Sequence, residues 1–144
     1  MKIRTLFILI FFSIVVASCE LNEQPRPTND MQCPPKTCTL EFASISVKFI
    51  DKAGNSVTVS DFKSINSRTG LAIKYAGPYT ISGVSNYTVA TDGDLKEFTD
   101  TGDEVVVSGT NPATGQTKSA TFSIAGGCAC HIRKISGPSQ ITFD

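Results

Sequence analysis

Residues 37–144 contain 31 Thr, Val and Ile, against three Leu, at positions 40, 71 and 95. Side chains branched at Cβ lose rotamer freedom in helices and fit pleated sheets, so this bias alone points to an all-β domain. The local pattern agrees. Ile45, Val47 and Phe49 alternate with Ser44, Ser46 and Lys48, as in a strand with one buried face. A turn follows at 51–55, where Gly54 supplies the left-handed residue. Further strands are expected around 57–66, 71–75, 79–82, 86–90, 104–110, 117–125, 128–135 and 140–143. Turn chemistry separates most of them: Thr69-Gly70, Gly77-Pro78, Asp92-Gly93-Asp94, Asn111-Pro112 with Gly115, and Gly137-Pro138. One short helical turn is expected near 94–98. Strands at this spacing predict an antiparallel sandwich or barrel. Leu40 and Phe42 fall on the opposite parity from Ile45, Val47 and Phe49. A bulge near Ala43-Ser44, or a separate short edge piece at 40–42, reconciles the two.

Ahead of this domain lies a different kind of chain. Lys2 and Arg4 precede an apolar run, 6–16, interrupted only by Ser13. As a helix that run covers about 16 Å, roughly half of a bilayer's hydrocarbon core. It has the layout of a secretory signal peptide rather than of a membrane span. The run ends in Val16-Ala17-Ser18-Cys19, which resembles the lipobox of bacterial lipoproteins. The resemblance implies cleavage after residue 18 and acylation of Cys19, and hence attachment to a membrane through that lipid. By the sorting rule of enterobacterial lipoproteins, Glu20 rather than Asp favours the outer membrane of the cell envelope. Residues 19–36 are polar and rich in proline (Pro25, Pro27, Pro34, Pro35) and are expected to form a flexible tether. Without 1–18, 11 Lys and Arg face 13 Asp and Glu. That balance offers no basic footprint for nucleic acid.

The stretch GGCACHIRKISGP, 126–138, places two cysteines beside the only histidine of the chain. Covalent haem attachment needs two residues between the cysteines, and Cys128 and Cys130 have only Ala129 between them. If 128–135 is extended, Cys128 and Cys130 share one face and His131 points to the other. A metal site from this segment alone is then awkward, although four cysteines (Cys33, Cys38, Cys128, Cys130) could in principle form one. With Cys19 assigned to the lipid, those four are an even set in an exported chain, which favours disulfides. Bonding Cys128 to Cys130 needs Cβ atoms about 3.8 Å apart, whereas two extended residues span nearly 7 Å. Cys33 and Cys38 are therefore each expected to bond one of Cys128 and Cys130, in either order.

Two stretches carry a family resemblance. ISVKFIDKAGNSVTV, 45–59, resembles the opening strand, turn and second strand of transthyretin-like domains, including the carboxypeptidase regulatory-like modules of secreted bacterial proteins. CHIRKISGPSQITFD, 130–144, resembles the end of small uncharacterised lipoproteins of Bacteroidota. GPYTISGVSNYTV, 77–89, matches the second strand signature of those modules only loosely, and the cysteine set is additional to them. The resemblance implies an antiparallel sandwich of seven or eight strands, transthyretin-like or immunoglobulin-like, and a non-catalytic role.

Other candidate sites are thinner. Any catalytic triad must use His131, and no Gly-x-Ser-x-Gly elbow accompanies it; the plain reading is a surface histidine on a strand. Asp92, Asp94, Glu97, Asp100, Asp103 and Glu104 cluster around Lys96. They are candidate oxygen ligands for calcium, though without EF-hand spacing, and a solvated loop is the simpler reading. Tyr75, Tyr79 and Tyr87 are candidates for a sugar-stacking platform, weakened by the lack of tryptophan. The expectation is a lipid-anchored, non-enzymatic envelope protein without a cofactor, binding another envelope protein or a glycan. The alternative is metal binding, through the four cysteines or the 92–104 loop.

Overall fold

Alternation of apolar and polar residues, with glycine and proline between the runs, produces eight strands in the computed structural model, which describes residues 32–144. The expected signal segment 1–18, Cys19 and the tether as far as residue 31 lie outside the described residues. The strands are β1 (Ser44–Ile50), β2 (Ser60–Asn66), β3 (Gly77–Ile81), β4 (Val84–Thr91), β5 (Asp103–Thr110), β6 (Thr117–Ala125), β7 (Arg133–Ser136) and β8 (Gln140–Thr142). They form two four-stranded sheets, ordered β3-β4-β1-β8 and β2-β5-β6-β7. Every pairing is antiparallel except β1 with β8, where Phe49 lies beside Ile141 in a parallel ladder. A 3-10 helix, Asp92–Glu97, leads from β4 towards β5.

One core fills the space between the sheets. Ile45, Val47, Phe49, Tyr87, Val89 and Ile141 enter it from the first sheet, and Val105, Val107, Phe122 and Ile124 from the second. At its centre Phe49 meets Tyr87 edge-on, with ring centroids 5.2 Å apart, and stacks on Phe143 at 5.8 Å. Tyr87 keeps its polar end satisfied: its hydroxyl accepts the Val59 amide at 2.7 Å.

The register of β1 against β4 slips between Ile45 and Ser46, whose partners are Ala90 and Thr88. Val89 is thus the extra residue of a bulge, which lets Tyr87, Val89 and Ala90 all be buried although their parities differ. The irregularity expected near Ala43-Ser44 lies instead within the β1–β4 ladder. Leu40 and Phe42 belong to no strand and point to solvent, so their parity never conflicts with that of β1.

Three expected strands are shortened or lost. Of 57–66, only Ser60–Asn66 joins a ladder, because Val57 and Val59 give their amides to Phe49 O and the Tyr87 hydroxyl. The 71–75 stretch makes a single bridge, Ala72 with Ile65, and buries Ile73. The 128–135 strand starts only at Arg133. Turns behave as their residues require. Gly54 has φ +84°, and Ser82 and Gly83, both at positive φ, close the β3–β4 hairpin as a tight two-residue turn matched to strand twist.

Candidate functional site at the disulfide clamp

β6 ends at Ala125, and the next residues do not continue it. Gly126 and Gly127 give their amides to Thr99 O and Leu95 O, at 3.0 and 2.8 Å, and Cys128 gives its amide to Asp100 Oδ1 at 2.8 Å. The segment is thus held as a loop against 95–100, and its donors are spent before any strand partner is met. The expectation of Cys128 and Cys130 on one strand face, with His131 on the other, is corrected accordingly. A side chain at Gly126 has no room: a Cβ there falls 2.5 Å from the Leu95 carbonyl oxygen. Gly126→Ala is expected to destabilise the domain by about 1–3 kcal/mol, measured as a lowered urea midpoint.

Onto this loop the N-terminal segment is bolted twice. Cys33 bonds Cys128 and Cys38 bonds Cys130, with Cα atoms 5.2 and 5.4 Å apart. Of the two cross pairings left open by the spacing, the chain adopts the one in which 33–38 runs alongside 128–130. Lys36 Nζ also donates to the Cys128 carbonyl.

A polar array completes the clamp. His131 Nδ1 lies 2.7 Å from Asp92 Oδ2, and His131 Nε2 lies 2.9 Å from Thr39 Oγ1. Asp92 also accepts the amides of Ala43 and Ile132, at 2.7 and 2.8 Å. Burial pushes the Asp92 carboxyl up, but these amides and the imidazole outweigh it and hold it below the usual carboxylate range. Hydroxyl, imidazole and carboxylate stand in the order of a hydrolase relay. Here, however, the carboxylate binds two backbone amides from separate segments, 39–43 and 131–132, and the imidazole reaches the Thr39 hydroxyl of the first. The array's evident work is to hold 39–43 against 131–132. His131 is therefore a joint between segments, not a surface strand histidine.

Three more acidic residues of the run, Asp94, Asp100 and Asp103, are bound to other parts of the fold, while Glu104 is exposed. Asp94, fully buried, accepts Thr91 N and Thr91 Oγ1 in a capping box, and Tyr75 N at 3.1 Å. Asp103, buried on β5, accepts Asn66 Nδ2 at 2.9 Å, Arg68 Nε and Nη2 at 3.0 and 2.8 Å, and Thr99 Oγ1 at 3.0 Å. Asp100 holds the Cys128 amide. The expected solvated loop is thus corrected for Asp94 and Asp103, which are buried, and among the described residues no three His, Cys, Asp or Glu side chains converge as metal ligands. Nor do the three tyrosines form one platform, since Tyr87 is in the core while Tyr75 is half exposed.

Desolvation raises the Asp103 carboxyl, but the hydrogen bonds from Arg68, Asn66 and Thr99 and the Arg68 charge outweigh it, so the net shift is downward. A depressed folded-state value stabilises the fold at pH above the unfolded value, about 3.9, and that contribution is lost as pH falls through the folded value. Urea midpoints are therefore expected to fall steeply below about pH 4. Asp103→Asn should flatten that fall while lowering stability at neutral pH, and an unchanged acid slope would contradict this assignment.

No family model, curated protein or solved structure matches this chain. Among the described residues, no helix is long and apolar enough to cross a membrane.

Proposed function

We propose that this chain is a lipid-anchored, non-enzymatic lipoprotein of the bacterial cell envelope, acylated at Cys19 and directed to the outer membrane. Its domain serves as a binding or structural module for another envelope protein or a glycan. The observation that carries this reading is the double bolt at the point where the tether meets the domain, Cys33–Cys128 and Cys38–Cys130. Disulfides of this kind persist in oxidising, exported compartments, and a tether fastened at two points passes any pull from the membrane into the domain. We assign the two facing sheets to the transthyretin-like or immunoglobulin-like class, on the resemblance of 45–59. With all four domain cysteines oxidised, no thiolates remain for the metal alternative.

The test is fractionation of cells fed an alkyne-tagged fatty acid. Wild-type protein should carry the label in the membrane fraction, and Cys19→Ala should lose both label and membrane association. Membrane cross-linking should then join the wild-type domain to a specific envelope protein or glycan. An unlabelled wild-type protein in the soluble fraction would overturn the reading.

A further inference from the structure

The segment between the second bolt and β1 is short, pinned and apolar. Cys38 fixes one side through Cys130, and the Ala43 amide, 2.7 Å from Asp92 Oδ2, fixes the other. Between them Leu40 is fully exposed and Phe42 is 70 % exposed. Held at both ends, these side chains cannot retreat into the core, which is closed without them. The residue after Asp92 abuts a half-exposed aromatic. A Cβ on Gly93, the residue after Asp92, would meet the Tyr75 ring at 2.6 Å, and Lys74 Nζ lies 5.0 Å over that ring's centroid. Asp92 and Gly93 therefore link Ala43, the neighbour of Phe42, to Tyr75 and its lysine.

We propose that Leu40 and Phe42 insert into the interface of the bilayer that carries the acyl chains of Cys19, with Tyr75 and Lys74 at headgroup level. The proposal rests on the lipid-anchored reading above. Fourteen residue steps separate Cys19 from Cys33, a reach of at most about 50 Å, and Cys33 is bolted to the same loop as Cys38. The tether therefore joins the domain at the end that bears the apolar pair. Two side chains make too small a contact to hold a free partner. A surface held by the same tether is different, because a covalent link makes the second contact intramolecular and lets a weak contact count. Aliphatic and aromatic tips rimmed by tyrosine and lysine also match the composition of interfacial anchors. The opposite end of the domain then faces away. β4 runs from the β3–β4 hairpin, where Ile81 pairs Val84, to Thr91 beside Asp92, a length of about 24 Å.

The chain has no tryptophan, so a single one reports its own surroundings. Mature, lipidated Phe42→Trp and Ile81→Trp proteins, beginning at Cys19, are reconstituted into phosphatidylethanolamine–phosphatidylglycerol vesicles with brominated acyl chains and collected by flotation. Both replaced side chains are exposed, so folding should be preserved. Emission from Phe42→Trp should shift to the blue and lose most of its intensity to the brominated lipid, while Ile81→Trp should respond only to aqueous acrylamide. If both proteins float and both tryptophans are equally open to acrylamide, the insertion is wrong while the anchor stands, and a protein partner becomes the better occupant. If neither protein floats, the anchor reading fails and the insertion with it.

Discussion

Removing both disulfides should cost this domain more than the two single removals added together. Each bridge spans nearly the whole domain, with sequence separations of 95 and 92. In the chain-entropy account, closing a loop of that size stabilises the fold by about 4.7 kcal/mol. The two bridges, however, close almost the same loop. With one intact, the other adds only the small ring made by 33–38 and 128–130, for which the same expression gives about 2.5 kcal/mol. Cys33→Ser with Cys128→Ser, or Cys38→Ser with Cys130→Ser, should therefore each cost about 2.5 kcal/mol. The four-fold variant should cost about 7 kcal/mol, a large part of the 5–15 kcal/mol that holds a typical domain together. Urea unfolding of the three variants at fixed pH measures the excess. Strict additivity would show that the bridges do not share a loop in the unfolded chain. Because Asp92 and His131 still join 39–43 to 131–132 in every variant, the difference between variants isolates the covalent part of the clamp.

How much of this was readable beforehand depends on whether a residue's role is set by its neighbours in sequence or by its neighbours in space. Strands β1, β5 and β6 were legible because their alternation and flanking turns are local properties. The set of possible cysteine pairings held although its premise did not: 128–130 is a loop, not an extended strand, yet both bonds run from 33 and 38 to 128 and 130. The order of pairing was not legible, since it depends on the direction in which 33–38 lies along 128–130. The expected strand at 128–135 begins only at Arg133 because the donors of 126–128 go to 95–100, some thirty residues away in sequence. The acidic stretch was misread for a related reason: carboxylates that look solvated in a charged run are drawn inward when distant donors await them. Arg68 and Asn66 wait for Asp103, and the amides of Ala43 and Ile132 for Asp92. The only sequence signal for the first pair was Asp103 on the inward parity of β5, shared with Val105 and Val107.

Phe49→Ala should be among the most damaging single substitutions in the chain, and Phe42→Ala nearly silent, although the residue types are identical. Phe49 is fully buried in the middle of its sheet, where β1 lies between β4 and β8. Its ring meets Tyr87 edge-on and Phe143 face-on, and approaches Phe62 at 6.4 Å. Truncation removes the apolar surface of the ring and leaves a cavity whose walls are other rings. Tyr87 is held through its hydroxyl to the backbone of Val59, and Phe143 is held by its amide to Ile50 O, so the walls have little freedom to close. Truncations of this kind cost about 3–5 kcal/mol, and limited collapse places this one at the upper end. Phe49→Leu should recover much of the loss, since most of the volume returns. Phe42, 70 % exposed, leaves no cavity when truncated, and surface changes of that kind stay within about 0.5 kcal/mol. The comparison is read from urea midpoints at constant slope. A Phe42→Ala cost approaching that of Phe49→Ala would mean that 39–42 folds into the core in solution, which would also remove the apolar pair from the membrane-facing surface.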